Sequence, residues 1–167
     1  PVTTEYHEAK TDVIKTLEVI DEMQVPAFWF WPNVDAGADG TSNGIRSYRE
    51  KNNPKNIRFF KNMEPDDFLR LLMNSKCLIG NSSVGIRECS FLGVPVVNIG
   101  TRQNRRLRGH NVMDVPYEKS EIKKAIQSQL DQPQNERSSI YGDGNSGKQI
   151  ADILAEIKLR FQKTITY

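Results

Sequence analysis

The residues with most chemical potential lie between positions 81 and 88. Asn81, Ser82 and Ser83 follow a short apolar run, Cys77-Leu78-Ile79-Gly80, and Glu88 comes shortly after them. If the apolar run is a buried strand, these polar residues emerge at its C-terminal end, where the next helix begins. The first N–H groups of a helix lack intrahelical partners and carry partial positive charge. With two hydroxyls beside them they form a cradle for a phosphate. Gly85, in the first turn, would let that phosphate approach the backbone. A serine pair before a helix also serves as an ordinary N-cap, so Ser82 and Ser83 alone leave both readings open. Glu88 bears on the choice. At about 100° per residue it falls on the same face as Val84, Phe91 and Leu92. A carboxylate in an apolar stripe is costly unless it is paired, and Glu88 is too far from Ser83 for a capping box. It therefore meets an arginine, Arg87 or Arg102, or it accepts hydroxyls from a ligand. A carboxylate about one and a half turns beyond a phosphate cradle suits the two hydroxyls of a ribose. Serines plus glutamate then read as a nucleoside diphosphate site, with an internal ion pair as the other reading.

Three further segments would share the same edge. The loop Gly100–His110 carries Arg102, Arg105, Arg106 and Arg108. Arg102 is nearest the strand end and best suited to phosphate or base; the others also read as solvated surface. In Pro32-Asn33-Val34-Asp35-Ala36-Gly37, Asn33 and Asp35 suit a sugar or base, or simply shape the turn. In Lys61-Asn62-Met63, the backbone of Met63 could read a base edge. His7 and His110 are far apart, and Cys77 and Cys89 match no zinc spacing and no disulfide framework. No metal and no cofactor are expected.

The elements that must position these residues alternate in type. Residues 5–23 carry Val13, Ile14, Leu17 and Ile20 at helical spacing. Ala27–Trp31 read as a strand covered on both faces. A polar helix is predicted from about Ser42 to Lys51, then a strand at Ile57–Phe60 and a helix from Pro65 to Met73, with Pro65 in its first turn. Cys77–Gly80 is the third strand and Ser83–Leu92 the following helix. Pro95–Gly100 is the fourth strand and Asn111–Val115 a short fifth. Ser120 is expected to cap a helix bearing Ile122, Ile126 and Leu130. Asn145 opens a last helix bearing Ile150, Ile153, Leu154 and Ile157. Short apolar strands joined by single helices must run parallel. The fold class is therefore α/β: an open, Rossmann-like, mostly parallel sheet with helices on both faces. In such sheets ligands sit beyond the C-terminal ends of the strands.

Bulk properties narrow the function classes. The chain has 167 residues, 37% of them apolar and 26% charged, which suits one domain with a real core. Twenty-three basic and 21 acidic side chains give a net charge of +2. That is too balanced to imply nucleic acid, and no aromatic residues interleave the arginine loop as a stacking platform would need. No window is apolar for long enough to cross a bilayer, and none reads as a signal peptide. A cytoplasmic protein with reduced thiols is expected. The chain opens at Pro1 without a methionine, so it is expected to be a fragment whose upstream part lies elsewhere.

The blocks PVTTE, FWPNVDAG, IGNSSVGIRE, GVPVVNIGTRQ, GHNV and YGDGN, in this order and spacing, resemble the C-terminal half of the UDP-N-acetylglucosamine 2-epimerases. The likeness is to the hydrolysing, sialic-acid type, which includes the epimerase part of the animal bifunctional epimerase/kinase. It covers nearly the whole chain, and the NSS–GIRE and NIGTRQ blocks together make it specific. The resemblance implies that residues 1–167 form the C-terminal, UDP-binding domain of a glycosyltransferase-B-type two-domain fold. By the same resemblance Ser82 and Ser83 would hold the diphosphate and Glu88 the ribose. Asn33, Met63 and Arg102 would complete the nucleotide contacts. The family's PVTT segment follows a nucleotide-contacting histidine, which has no counterpart here ahead of Pro1.

The implied reaction converts UDP-N-acetylglucosamine and water to N-acetylmannosamine and UDP, for sialic or related nonulosonic acid synthesis. Loss of the C2 proton and expulsion of UDP would give an unsaturated sugar, to which water adds. The implied partners are UDP or UDP-N-acetylglucosamine and the enzyme's own N-terminal domain, within a homo-oligomer, with no nucleic acid and no membrane. The proton-transfer groups would come from the N-terminal half. No residue of this chain is assigned as catalytic, and the chain alone is expected to bind UDP weakly and not to turn over. The animal enzyme is feedback-inhibited near its DAG helix and KN segment; this sequence departs from that pattern, notably at Asn62, and no such regulation is assigned. Two alternatives remain: the donor half of a glycosyltransferase of the same fold, and a non-catalytic nucleotide-binding module.

Overall fold

The computed structural model describes residues 6–34, 38–133 and 135–158. The PVTTE block, residues 1–5, and Asp35, Ala36 and Gly37 of the FWPNVDAG block lie outside the described residues. A 3-10 turn, Tyr6–Glu8, leads into α1, Ala9–Met23. Val13, Leu17 and Ile20 form the buried face of α1, as their spacing requires. The helix stops at Gln24, which takes a left-handed backbone with φ 54° and returns its N–H to the Asp21 carbonyl. Strand β1, Ala27–Phe30, follows, and then α2, Ala38–Asn52. This helix begins earlier than its sequence suggests. Only Gly44, Ile45 and Tyr48 are buried in it, so its first turn has no large apolar residue to announce it.

Strand β2 spans Ile57–Phe60 and α3 spans Pro65–Met73, with Pro65 in its first turn as expected. Strand β3, Leu78–Gly80, delivers the polar segment. The helix expected over 83–92 is two short pieces, α4, Ser83–Ile86, and α5, Glu88–Leu92. The backbone turns between them at Arg87, where φ is −93° and ψ is −73°. Strand β4, Val96–Ile99, is buried along its length, and β5, Val112–Val115, lies beside it. Helix α6, Lys119–Asp131, starts one residue before Ser120. Glu118 is its N-cap, with no side-chain capping bond, so Ser120 does not cap it. The last helix, α7, spans Ser146–Glu156, with Asn145 preceding it as predicted.

All described strand pairs are parallel, as short strands with helical crossovers must be. They form two ladders, β1–β2 and β3–β4–β5, and not the single sheet expected from the sequence. One core nevertheless spans both. Val13 and Leu17 of α1, Ile45 of α2 and Ile122 and Ile126 of α6 pack over Trp29 of β1, Ile79 of β3 and Val97 of β4. A second cluster, Leu72, Cys89, Val94 and Val96, lies with α3, α4 and α5. Helices therefore occupy both faces, and the C-terminal ends of β3 and β4 emerge together.

Candidate functional site

Asn81 leaves β3 and is held by its neighbours on three counts. Its backbone carbonyl accepts hydrogen bonds from Arg102 Nη1 at 3.1 Å and from Gln103 Nε2 at 2.7 Å. Its side-chain Nδ2 donates to the Tyr117 hydroxyl at 3.1 Å. Arg102 and Gln103 come from the turn after β4, and Tyr117 from the residues after β5. The Tyr117 ring lies against Gly100, whose φ is +79° and where an added Cβ would collide with it. A glycine satisfies both demands at once. The loops after β3, β4 and β5 are thus tied into one edge.

Ser82 is the N-cap of α4. Its Oγ accepts from the Val84 N–H at 3.3 Å, a long and weak bond. Helix α4 is a single turn, so no extended macrodipole backs the expected anion cradle. What remains is local: two hydroxyls and the N–H groups of one turn. Gly85 does not open the backbone to a ligand, as the sequence suggested. A Cβ there would stand 2.8 Å from Val96 Cγ1, so the glycine lets α4 pack closely on β4.

Glu88 opens α5. The stripe expected around it is only partly present, because Phe91 is exposed and the sealed face of this segment is Ile86, Cys89 and Ser90. Val84 and Leu92 are half-buried against the second core cluster. The expected cost is nonetheless visible: Glu88 Oε2 is buried with no hydrogen-bond partner. No ion pair among the described residues includes Glu88, so neither Arg87 nor Arg102 supplies the internal pair. Beside it, burial pushes the Cys89 thiol up to about 12, and the Glu88 charge adds to the rise. Burial likewise raises Cys77 to about 12. Neither thiol is a ready nucleophile.

The arginine loop divides in two. Arg108 is held by Asp114 of β5, with Nε donating to Oδ2 at 3.0 Å, and Asn98 donates to the same carboxylate at 2.6 Å. Tyr141 clamps the loop again by donating to the Leu107 carbonyl. Arg105 and Arg106 are exposed. Only Arg102 reaches the segment that carries Ser82 and Ser83. Asn33 is exposed after β1, and Met63 is half-buried after β2. They stand at the ends of the other ladder, and no hydrogen bond among the described residues joins either to Ser82, Ser83, Glu88 or Arg102. Among the described residues no group of His, Cys, Asp and Glu could hold a metal ion.

Two features were not legible in advance. Gln103 and Tyr117 act only through tertiary contact with Asn81; the adjacency of Gln103 to Arg102 was the one available signal. A separate cleft of about 440 Å³ is lined by Trp31, Phe59, Arg46, Arg49, Glu50 and Lys61. The Arg46 guanidinium sits 5.6 Å from the Trp31 ring centre and that of Arg49 5.9 Å from Phe59. The spacing of the two arginines on one face of α2 was the signal there.

Known proteins give the same picture of kinship. The UDP-N-acetylglucosamine 2-epimerase family pattern matches residues 1–155. A UDP-N,N'-diacetylbacillosamine 2-epimerase (hydrolyzing) of Legionella pneumophila is 30% identical over 162 residues, covering 97% of this chain and 42% of that protein. A UDP-N-acetylglucosamine 2-epimerase of Neisseria meningitidis is 32% identical over 149 residues, covering 87% of this chain and 38% of that protein. The chain thus spans about two fifths of the length of these curated relatives. Among solved structures, the UDP-GlcNAc 2-epimerase of Methanocaldococcus jannaschii in complex with UDP-GlcNAc and UDP superposes with a TM-score of 0.67 at 20% identity. That match covers 89% of this chain and 41% of that one, and it establishes a shared fold.

Proposed function

The chain belongs to the UDP-N-acetylglucosamine 2-epimerase family, and we propose that it is the C-terminal, UDP-binding half of such an enzyme. The observation that carries this reading is Glu88: a carboxylate oxygen sealed from water, without a donor, at the start of α5, one short helix beyond the serine loop. Such an atom is costly in the empty protein. Turned outward, the carboxylate would be satisfied by the two hydroxyls of a ribose. Ser82 and Ser83 would then face the diphosphate, with Arg102 moving onto it from the adjacent turn. The weak Ser82 cap is easily exchanged for a phosphate oxygen. Asn33 and Met63 would meet the rest of the nucleotide from the ends of β1 and β2.

Within the whole enzyme this half acts on the leaving group. When the C2 proton is lost and the sugar–phosphate bond breaks, negative charge gathers on the diphosphate. Arg102, the serine hydroxyls and the N–H groups of α4 would stabilise that charge where it develops. The acid and base for C2 would come from the other half, since His7 lies tilted against Tyr6 in the opening turn and His110 is exposed in the arginine loop. Water addition would then release N-acetylmannosamine, or a diacetylated relative if the sugar is of the kind named for the Legionella protein. A glycosyltransferase half would use the same cradle. Joined to the upstream half, a free 2-epimerised sugar marks the epimerase and a glycoside the transferase; binding without turnover marks a non-catalytic module.

The direct test is calorimetric titration of UDP into this chain and into Glu88→Ala. Loss of the carboxylate is expected to weaken binding by about 1–3 kcal/mol, the cost of a missing polar contact in a desolvated site. Equal affinities would remove the ribose role.

A further inference from the structure

We propose that Gln103 is a positioning residue that holds the Ser82–Ser83 loop while Arg102 leaves it for the ligand; this rests on reading that loop as the diphosphate site. A carbonyl oxygen has two lone pairs. Those of Asn81 are filled by Arg102 Nη1 at 3.1 Å and Gln103 Nε2 at 2.7 Å. The two donors differ in kind. Arg102 is exposed and charged, and a diphosphate beside it offers a stronger, charge-assisted acceptor than a neutral carbonyl. Gln103 is only 2% exposed and neutral, so an anion gives it no reason to move. When the guanidinium turns to the ligand, Gln103 keeps the carbonyl satisfied and the loop in register. The Tyr117 hydroxyl holds the Asn81 side chain from the other side.

The other end of the Gln103 amide works against stability. Its Oε1 is buried with no hydrogen-bond partner. An unpaired buried acceptor is destabilising, and a methionine of similar volume would avoid that cost. The function of the side chain lies in its Nε2.

The test is a double-mutant cycle on UDP affinity in this chain: parent, Gln103→Met, Arg102→Ala and both together. With Arg102 present, Gln103→Met should weaken UDP about tenfold, since binding then strips the Asn81 carbonyl of its last donor. With Arg102 already removed, the same substitution should change affinity by less than about twofold, because no guanidinium is left to depart. Gln103→Met should melt no lower than the parent. If the parent binds no UDP, the reading of the site falls and takes this inference with it. If the parent binds but Gln103→Met costs the same in both backgrounds, or costs nothing in either, the inference alone is overturned. Failure of Gln103→Met to fold would overturn it as well, since it would make the amide a structural one.

Discussion

A carboxylate oxygen sealed away without a donor, as Glu88 Oε2 is, raises the free energy of the empty protein more than that of any complex that supplies a donor. Stability and binding should therefore respond to Glu88 in opposite directions. Glu88→Ala is expected to melt at or above the temperature of the parent while losing affinity for UDP, the trade seen where a site is built at the expense of the fold. Comparison of UDP with 2'-deoxy-UDP assigns the contact. The missing hydroxyl should cost the parent about 1–2 kcal/mol and Glu88→Ala almost nothing. Equal discrimination by both proteins would place the carboxylate elsewhere. At this scale the sequence marks candidates because the signal is local. Serines after an apolar run and a glutamate five positions after the second of them need no knowledge of the rest of the chain. Gln103 and Tyr117 escaped notice because their meaning lies in Asn81, some twenty and more positions away.

Elements were legible where a wide apolar stripe or a proline marked them, and blurred where a helix buries little. Helix α1 follows its Val13, Leu17 and Ile20 spacing closely, whereas α2 buries one narrow strip centred on Gly44, Ile45 and Tyr48. That strip explains how the two helices meet. A Cβ on Gly44 would collide with Val13 Cγ1 and lie 3.0 Å from the Lys10 carbonyl. Gly44→Ala gains about 1 kcal/mol of helix propensity. Overpacking at a helix crossing costs about 1–3 kcal/mol, and the Lys10 backbone cannot yield as a flexible side chain would. A net loss in urea unfolding free energy is expected, with partial recovery in the Gly44→Ala, Val13→Ala double variant, where the colliding methyl is gone. A more stable Gly44→Ala would mean that α1 and α2 can move apart freely. The break at Arg87 was not foreseen because nothing in Val84–Leu92 departs from helical pattern; it appears only in the backbone angles.

Over the whole molecule, the alternation of strand and helix gave the parallel, two-faced architecture, but the division of the strands into two ladders was invisible to it, since pattern says which segments are strands and not which pair. Helix α7 is the clearest excess of pattern over packing. Its Ile150, Ile153 and Leu154 are all more than half exposed, as is Ile157, which was expected within the helix but lies in extended backbone just past its end. Packing and pairing together give the molecule a global signature in proton binding. Tyr48 is raised well above its ordinary range, first by burial and then by its hydrogen bond to Asp21. Burial lifts Cys77 and Cys89 from 9.0 to about 12. Lys119 is raised by its hydrogen bond to Glu18. In every case the folded protein holds its proton more tightly than the unfolded chain. The stabilisation is therefore complete below the unfolded pKa values and is lost as pH rises through the folded ones. Thiols lead the loss, since their unfolded value is the lowest of the four. Urea midpoints should stay level from pH 7 to about 9 and then fall steadily towards pH 11. Replacing Cys77 and Cys89 with alanine lowers the midpoint at every pH by opening space in the core, but should flatten its decline above pH 9. The slope and not the absolute midpoint is the diagnostic quantity. An unaltered slope in the alanine variant would show that the thiols ionise as readily in the folded chain as in the unfolded one, and that water reaches both.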